Sequence, residues 1–182
     1  MKQLTNPLAI AAFTRAAVAA GRVPPVRRIK GDSRSADKFV IRGYVELFEE
    51  ISGIGTHQGR SINSEVVAAI LDSLDGQVRS LSEVRILKAH LGEEMAKNVL
   101  AVVPDFTLDT CKEERRFIVR FPPNVRDKIR KGVETISVGT LKAPSMNNWM
   151  LTALVAWVNV QRQHYALLSA SIAIDQKLLE GR

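Results

Sequence analysis

Two stretches of this chain carry the same order of apolar and polar positions. In residues 37–76, Phe39 and Ile41 alternate with Lys38, Val40 and Arg42. Successive strand residues point to opposite faces, so this predicts a short strand with one apolar face and one face bearing two cations. Over Tyr44 to Ser52, Leu47, Phe48 and Ile51 recur at helical spacing around Glu46, Glu49 and Glu50. Gly53, Gly55 and Gly59 then break the chain and read as turn residues. Ser61 or Asn63 caps a second helix, striped by Ile62, Val66, Val67, Ile70, Leu71 and Leu74.

Residues 115–160 repeat this order. Phe117 and Val119 alternate with Arg116, Ile118 and Arg120. Pro122 and Pro123 suit the start of a helix whose apolar side is Val125, Ile129 and Val133. Pro144 and Ser145 open the next helix, striped by Trp149, Met150, Ala153, Leu154, Trp157 and Val158. Arg42 and Arg120 lie 78 positions apart; Ser61 and Ser145, like Asn63 and Asn147, lie 84 apart. The six-residue difference falls in the loop between the two helices of the second copy.

The remaining segments are less patterned. Residues 1–36 read as a weakly apolar helix followed by an extended basic stretch, in which Pro24 and Pro25 forbid a helix and Arg27, Arg28 and Lys30 crowd together. That stretch is either an arm that grips phosphates or a solvated linker. Residues 77–114 form a helical connector. Ser80 and Glu83 have the spacing of a capping box, Gly92 is a candidate bend, and a loop follows Pro104. The helix opened at Ser145 either continues through 161–182 or breaks near Asn159 to Gln163. Its Leu167, Leu168, Ile172, Ile174, Leu178 and Leu179 are too many apolar residues for an exposed tail. They are expected to pack on the connector or on another chain, giving a dimer or a higher assembly.

The strand–helix–helix plan, with GRSINSE at 59–65, resembles the ribbon–helix–helix family of Arc/MetJ type, and its Arc-like branch in particular. The resemblance runs without a gap from Lys38 to Leu74, and through the second copy with the insertion. It implies a mainly α fold with a short antiparallel β-ribbon, built as tandem ribbon–helix–helix units at 37–76 and 115–160 with a helical connector and a C-terminal helix. It implies that Lys38, Val40, Arg42, Arg116, Ile118 and Arg120 face base edges in the major groove of double-stranded DNA. Ser61, Asn63, Ser145 and Asn147 would stand beside phosphates at helix N-termini, with Arg27, Arg28 and Lys30 adding contacts from the arm. Two departures are visible. Gly43 and Tyr44 replace a bulky residue and a proline. Of the family's Arg–Glu–Arg set, Arg60 and Glu65 remain while Ala69 stands at the third place; the second copy has Pro144, Trp149 and Ala153 there. Valine and isoleucine at reading positions suit a thymine methyl and make no polar base contact.

Charge agrees with an anionic partner. The 182-residue chain carries a net charge of +7, and the excess lies entirely in residues 1–42; a second basic cluster spans 112–131. Both clusters adjoin a reading strand. Taken singly, each strand is a solvated face, each Ser or Asn an ordinary cap and each stripe ordinary core. Their joint register, twice over, carries the functional reading.

Catalytic chemistry finds no support in the sequence. His57, His90 and His164 are scattered, with no ligand spacing for a metal. The glycines at 53, 55 and 59 lack the lysine and the leading strand of a phosphate loop. The paired glutamates at 49–50, 93–94 and 113–114 are sequence neighbours, which point apart on a helix. Cys111 has no partner for a disulfide, and no cofactor is expected. The reading is therefore a non-enzymatic, cytoplasmic, sequence-specific DNA-binding protein, a repressor of phage or plasmid type. Alternatives are a relaxosome or partition accessory protein and an antitoxin-like or inhibitor protein-interaction module. Whether the two strands pair within one chain or each with its twin in a second chain is open, since roughly 40 connecting residues span either arrangement.

Overall fold

The computed structural model describes residues 37–122, 124–137 and 145–180. The expectations for Arg27, Arg28, Lys30, Pro123 and Pro144, and for the insertion in the second copy, lie outside these residues. In chain order the elements are strand β1 (Asp37–Tyr44), helices α1 (Val45–His57), α2 (Ile62–Leu74), α3 (Val78–Leu91) and α4 (Glu93–Ala101), a 3-10 turn at Leu108–Thr110, strand β2 (Glu114–Phe121), and helices α5 (Val125–Ser137) and α6 (Met146–Glu180). The protein is mainly α, with one two-stranded antiparallel ribbon.

The ribbon settles the pairing question. β1 pairs with β2 of the same chain, with Lys38 opposite Arg120, Val40 opposite Ile118 and Arg42 opposite Arg116. Strand alternation then puts Phe39, Ile41, Phe117, Val119 and Phe121 on the helix side. Ile41, Val119 and Phe121 are buried there, with Leu47, Phe48 and Ile51 of α1, Val66 and Ile70 of α2, Ile129 of α5, and Met150, Leu154 and Val158 of α6. The Phe48 ring stacks on Phe117 at 5.1 Å, so residues from both strand–helix–helix segments share one core. Each fully buried side chain of this size stabilises the fold by about 1.5–3 kcal/mol relative to exposure.

A second, smaller core lies under the connector. Val84 of α3, Ala96 of α4, and Val160 and Leu167 of α6 are buried together, with Leu87, Leu91, Val99 and Leu100 at its margin. The long α6 thus reaches from the ribbon to the connector without a break near Asn159. The C-terminal apolar residues meet the connector through Leu167, whereas Ile172 is exposed.

Four local expectations are corrected. Gly53 and Gly55 are not turn residues: both lie inside α1, and only Gly59, at φ +68°, makes the turn. A Cβ on Gly55 would come within 3.1 Å of the Arg60 carbonyl oxygen, so the glycine lets the turn fold back on the helix. Ser80 and Glu83 do not form a capping box, because α3 starts earlier, from Gln77 at φ 58°. Ser80 is buried and donates to Asp72 Oδ2 at 2.6 Å, tying α3 to α2, while Glu83 pairs with Arg79 at 3.0 Å. Leu71, counted in the stripe of α2, is exposed instead, on the same narrow face as Ser64 one heptad earlier. Gly92, at φ +80°, does more than bend the connector helix; it separates α3 from α4.

Candidate nucleic-acid interface

The outer face of the ribbon carries Lys38, Val40, Arg42, Arg116, Ile118 and Arg120, all exposed. Their cross-strand order is cation–cation, aliphatic–aliphatic, cation–cation. It reads nearly the same from either end, and the pseudo-dyad passes through the Val40–Ile118 pair. Like charges placed directly opposite one another destabilise a two-stranded sheet. None of these four cations is in an ion pair among the described residues. The acid on this face is Glu114, at the ribbon end opposite Tyr44. The arrangement is costly in isolation and suits an external polyanion. Val40 and Ile118, at 45% and 59% exposure, add an apolar spot at its centre.

The same pseudo-dyad organises the helix N-termini. Asn63, near the start of α2, accepts the Arg120 N–H on Oδ1 at 2.8 Å and donates from Nδ2 to the Arg120 carbonyl at 3.3 Å. Asn147, near the start of α6, accepts the Arg42 N–H at 2.8 Å and donates to the Arg42 carbonyl at 3.0 Å. Each asparagine thus holds the outer edge of the strand from the other segment. These amides were expected to stand at phosphates; they are engaged by strand backbone, because a two-stranded ribbon leaves edge groups that need partners. Ser61 and Ser145 are true caps. Ser61 Oγ accepts the Ser64 N–H at 3.2 Å, and Ser145 Oγ accepts the Asn148 N–H at 3.1 Å. Both serines are exposed beside the ribbon edges.

Behind the interface, Glu65 is fully buried. Its Oε1 accepts Trp157 Nε1–H at 2.9 Å, from α6. Arg60 Nη1 stands 3.2 Å from Oε2 without hydrogen-bond alignment, an ion pair that leaves Oε2 without a directed donor. The third charge missing at Ala69 is therefore replaced by an indole from the other segment. No feature of the Glu65 neighbourhood in sequence points to a tryptophan 92 positions away.

The start of β2 is fixed from α1. Val45 N–H donates to the Glu113 carbonyl at 2.8 Å, and Lys112 N–H donates to Glu46 Oε1 at 2.8 Å. The Lys112 N–H is the main reason the Glu46 carboxyl titrates below its ordinary value. Nearby, burial raises the Cys111 pKa, and the Glu46 and Asp109 carboxylates raise it further. Among the described residues no group of His, Cys, Asp and Glu is placed to hold a metal, and no helix is long and apolar enough to cross a membrane.

Residues 33–79 match the family model of the Arc-like DNA binding domain. This segment belongs to the ribbon–helix–helix family. The match covers β1, α1 and α2 and ends at the start of α3; it gives the protein a DNA-binding role. No curated protein and no solved structure matches the chain. In the Arc-like domain, Asn63 lies two residues after the capping Ser61, as Asn147 lies two after Ser145. That repeated Ser-x-Asn was visible in the sequence, although its strand partner was not.

Proposed function

We propose that this protein is a sequence-specific double-stranded DNA-binding repressor of phage or plasmid type, in which one chain supplies a complete two-stranded reading ribbon. The observation that carries this reading is the intrachain pairing that sets Lys38, Arg42, Arg116 and Arg120 on one exposed face, with no ion pair to them among the described residues, in a ribbon whose first strand lies in the Arc-like match. A two-stranded ribbon fits the B-DNA major groove, and arginine forks onto the paired acceptors of guanine. Lys38 and Arg120 read one end of the site, Arg42 and Arg116 the other, and Val40 and Ile118 lie against thymine methyl groups at the centre. Ser61 and Ser145 end the helices that approach phosphates, where N-terminal N–H groups attract anions. Asn63 and Asn147 set the angle between those helices and the ribbon. Arg27, Arg28 and Lys30 add salt-sensitive affinity from the arm. The mechanism involves no bond making; occupancy of the site excludes polymerase.

Selection of bound sequences from a random duplex pool, followed by titration of Arg42→Ala and Arg120→Ala variants, tests it. Each variant is expected to weaken selected DNA by about 1–3 kcal/mol and to relax preference at its own end of the site. Unchanged affinity in both variants, or binding without salt dependence, overturns the reading in favour of a protein-interaction module.

A further inference from the structure

The reading face of the ribbon is nearly palindromic, but its two ends are not. On the helix side of the ribbon, Gly43 is opposite Arg115 at one end and Phe121 is opposite Asp37 at the other. The pseudo-dyad exchanges these pairs, so glycine corresponds to phenylalanine and arginine to aspartate. At the second end Phe121 is buried and fills the space. Asp37 there is neutralised by Arg126, whose Nη1 lies 3.0 Å from Oδ1. At the first end Leu151 and Phe48 close over the glycine instead. A cleft of about 410 Å³ opens beside it, walled by Arg42, Gly43, Tyr44, Glu114, Arg115, Arg116 and Leu151. Gly43 is kept small by its surroundings, since a Cβ there would come within 3.0 Å of Leu151 and 3.2 Å of Phe48. Three arginines therefore line one open pocket with a single acid, and no ion pair holds Arg115 among the described residues.

We propose that this cleft, with Arg115 as its anchor, holds a backbone phosphate of the DNA at one end of the ribbon only, and so fixes the direction in which the chain lies on its site. The proposal rests on the DNA reading above. Arg42 and Arg116 line the cleft from the base-reading face and Arg115 from the helix side, so the cleft opens where a strand of the duplex leaves the groove. Arginine suits the position because its fork takes two phosphate oxygens at once. A nearly palindromic ribbon by itself would bind a nearly palindromic site in either direction with similar affinity. One extra phosphate contact at a single end removes that degeneracy.

The test is the full chain on a DNA site chosen by selection, with Arg115→Ala, Arg115→Lys and Arg42→Ala compared. Arg115→Ala is expected to weaken all DNA sequences alike and to reduce the slope of log affinity against log salt by about one. Arg115→Lys keeps the charge and is expected to keep the slope. Phosphate ethylation interference is expected to lose one position, on one side of the pseudo-dyad, in Arg115→Ala. Thermal unfolding followed by tryptophan fluorescence is expected to match the wild type, which separates the effect from misfolding. If Arg42→Ala weakens binding while Arg115→Ala leaves slope and interference unchanged, the clamp is overturned and the DNA reading stands. Loss of matched phosphates on both sides, or a lysine variant as weak as alanine, also overturns it. If neither Arg42→Ala nor Arg115→Ala matters, the DNA reading itself fails.

Discussion

The segment β1–α1–α2 and the segment β2–α5–α6 follow one plan and meet on a pseudo-dyad, yet they divide the labour unequally. Their shared parts are the strands with outward cations, the capping serines and the asparagines that lock the opposite strand. Their differences lie behind the ribbon. At the corresponding helix position the first segment carries Glu65, buried and charged, and the second carries Trp149. The first ends its second helix at Leu74; the second extends its own over 35 residues to cover the connector. Two identical chains would have to solve each burial problem twice with the same residue. Joined in one chain, one segment supplies the carboxylate and the other the indole that satisfies it. Symmetry is kept at the exposed ribbon face and relaxed in the core.

The largest effect that would break this comparison concerns the Glu65–Trp157 contact. Trp157→Phe leaves a buried carboxylate without its indole donor and is expected to cost about 1.5–3 kcal/mol in urea unfolding. Glu65→Met combined with Trp157→Phe is expected to recover most of that loss, because apolar packing replaces buried ionic sets with little penalty. Additive losses in the double variant would show that the two segments are not coupled there.

A smaller effect sharpens the symmetric side. Asn63→Ala and Asn147→Ala are each expected to cost about 1 kcal/mol, by equal amounts. Amide hydrogen exchange gives the finer readout: Asn147→Ala should speed exchange at the Arg42 N–H and Asn63→Ala at the Arg120 N–H. Exchange that rises at neither site, or at both in each variant, contradicts the crossed pattern.

The smallest effect is a pH dependence confined to one segment. Glu46 has no acidic counterpart in the second segment, where the corresponding residue is Asn124, just before α5. The folded Glu46 carboxyl titrates below its ordinary value of 4.5, first through the Lys112 N–H. A carboxyl with a depressed folded pKa contributes stability that is fully present above its unfolded value and is lost as pH falls through the folded one. The stability advantage of wild type over Glu46→Gln should therefore hold above pH 4.5 and shrink as the pH is lowered further. An advantage that grows on acidification would contradict the assignment.

Much of this was legible in the linear pattern, and the misses have local causes. The strands were readable because Phe39–Ile41 and Phe117–Val119 alternate against cations, and the second helices because serine caps precede long apolar stripes. The glycines of α1 were misread because glycine signals a turn as readily as it signals close approach; Gly55 is required by the nearby Arg60 carbonyl, which only the fold brings there. Ser80 was misread as part of a cap because its partner, Asp72, belongs to the preceding helix. For the candidate interface, the outward residues could be named from period two alone. Arg115 could not, because alternation puts it on the core side and the cleft that it lines is formed only when the two strands and α6 come together.

The sequence by itself determined the strand and helix periods, the cationic face and the duplicated plan, because these depend on residues a few positions apart. The tertiary structure decided what depends on long separations: that the ribbon closes within one chain, that Trp157 completes Glu65, and that a cleft lined by Arg115 opens at one end of the ribbon. Periodicity assigns a side chain to a face, whereas the partner it meets across that face is fixed only when distant segments are brought together.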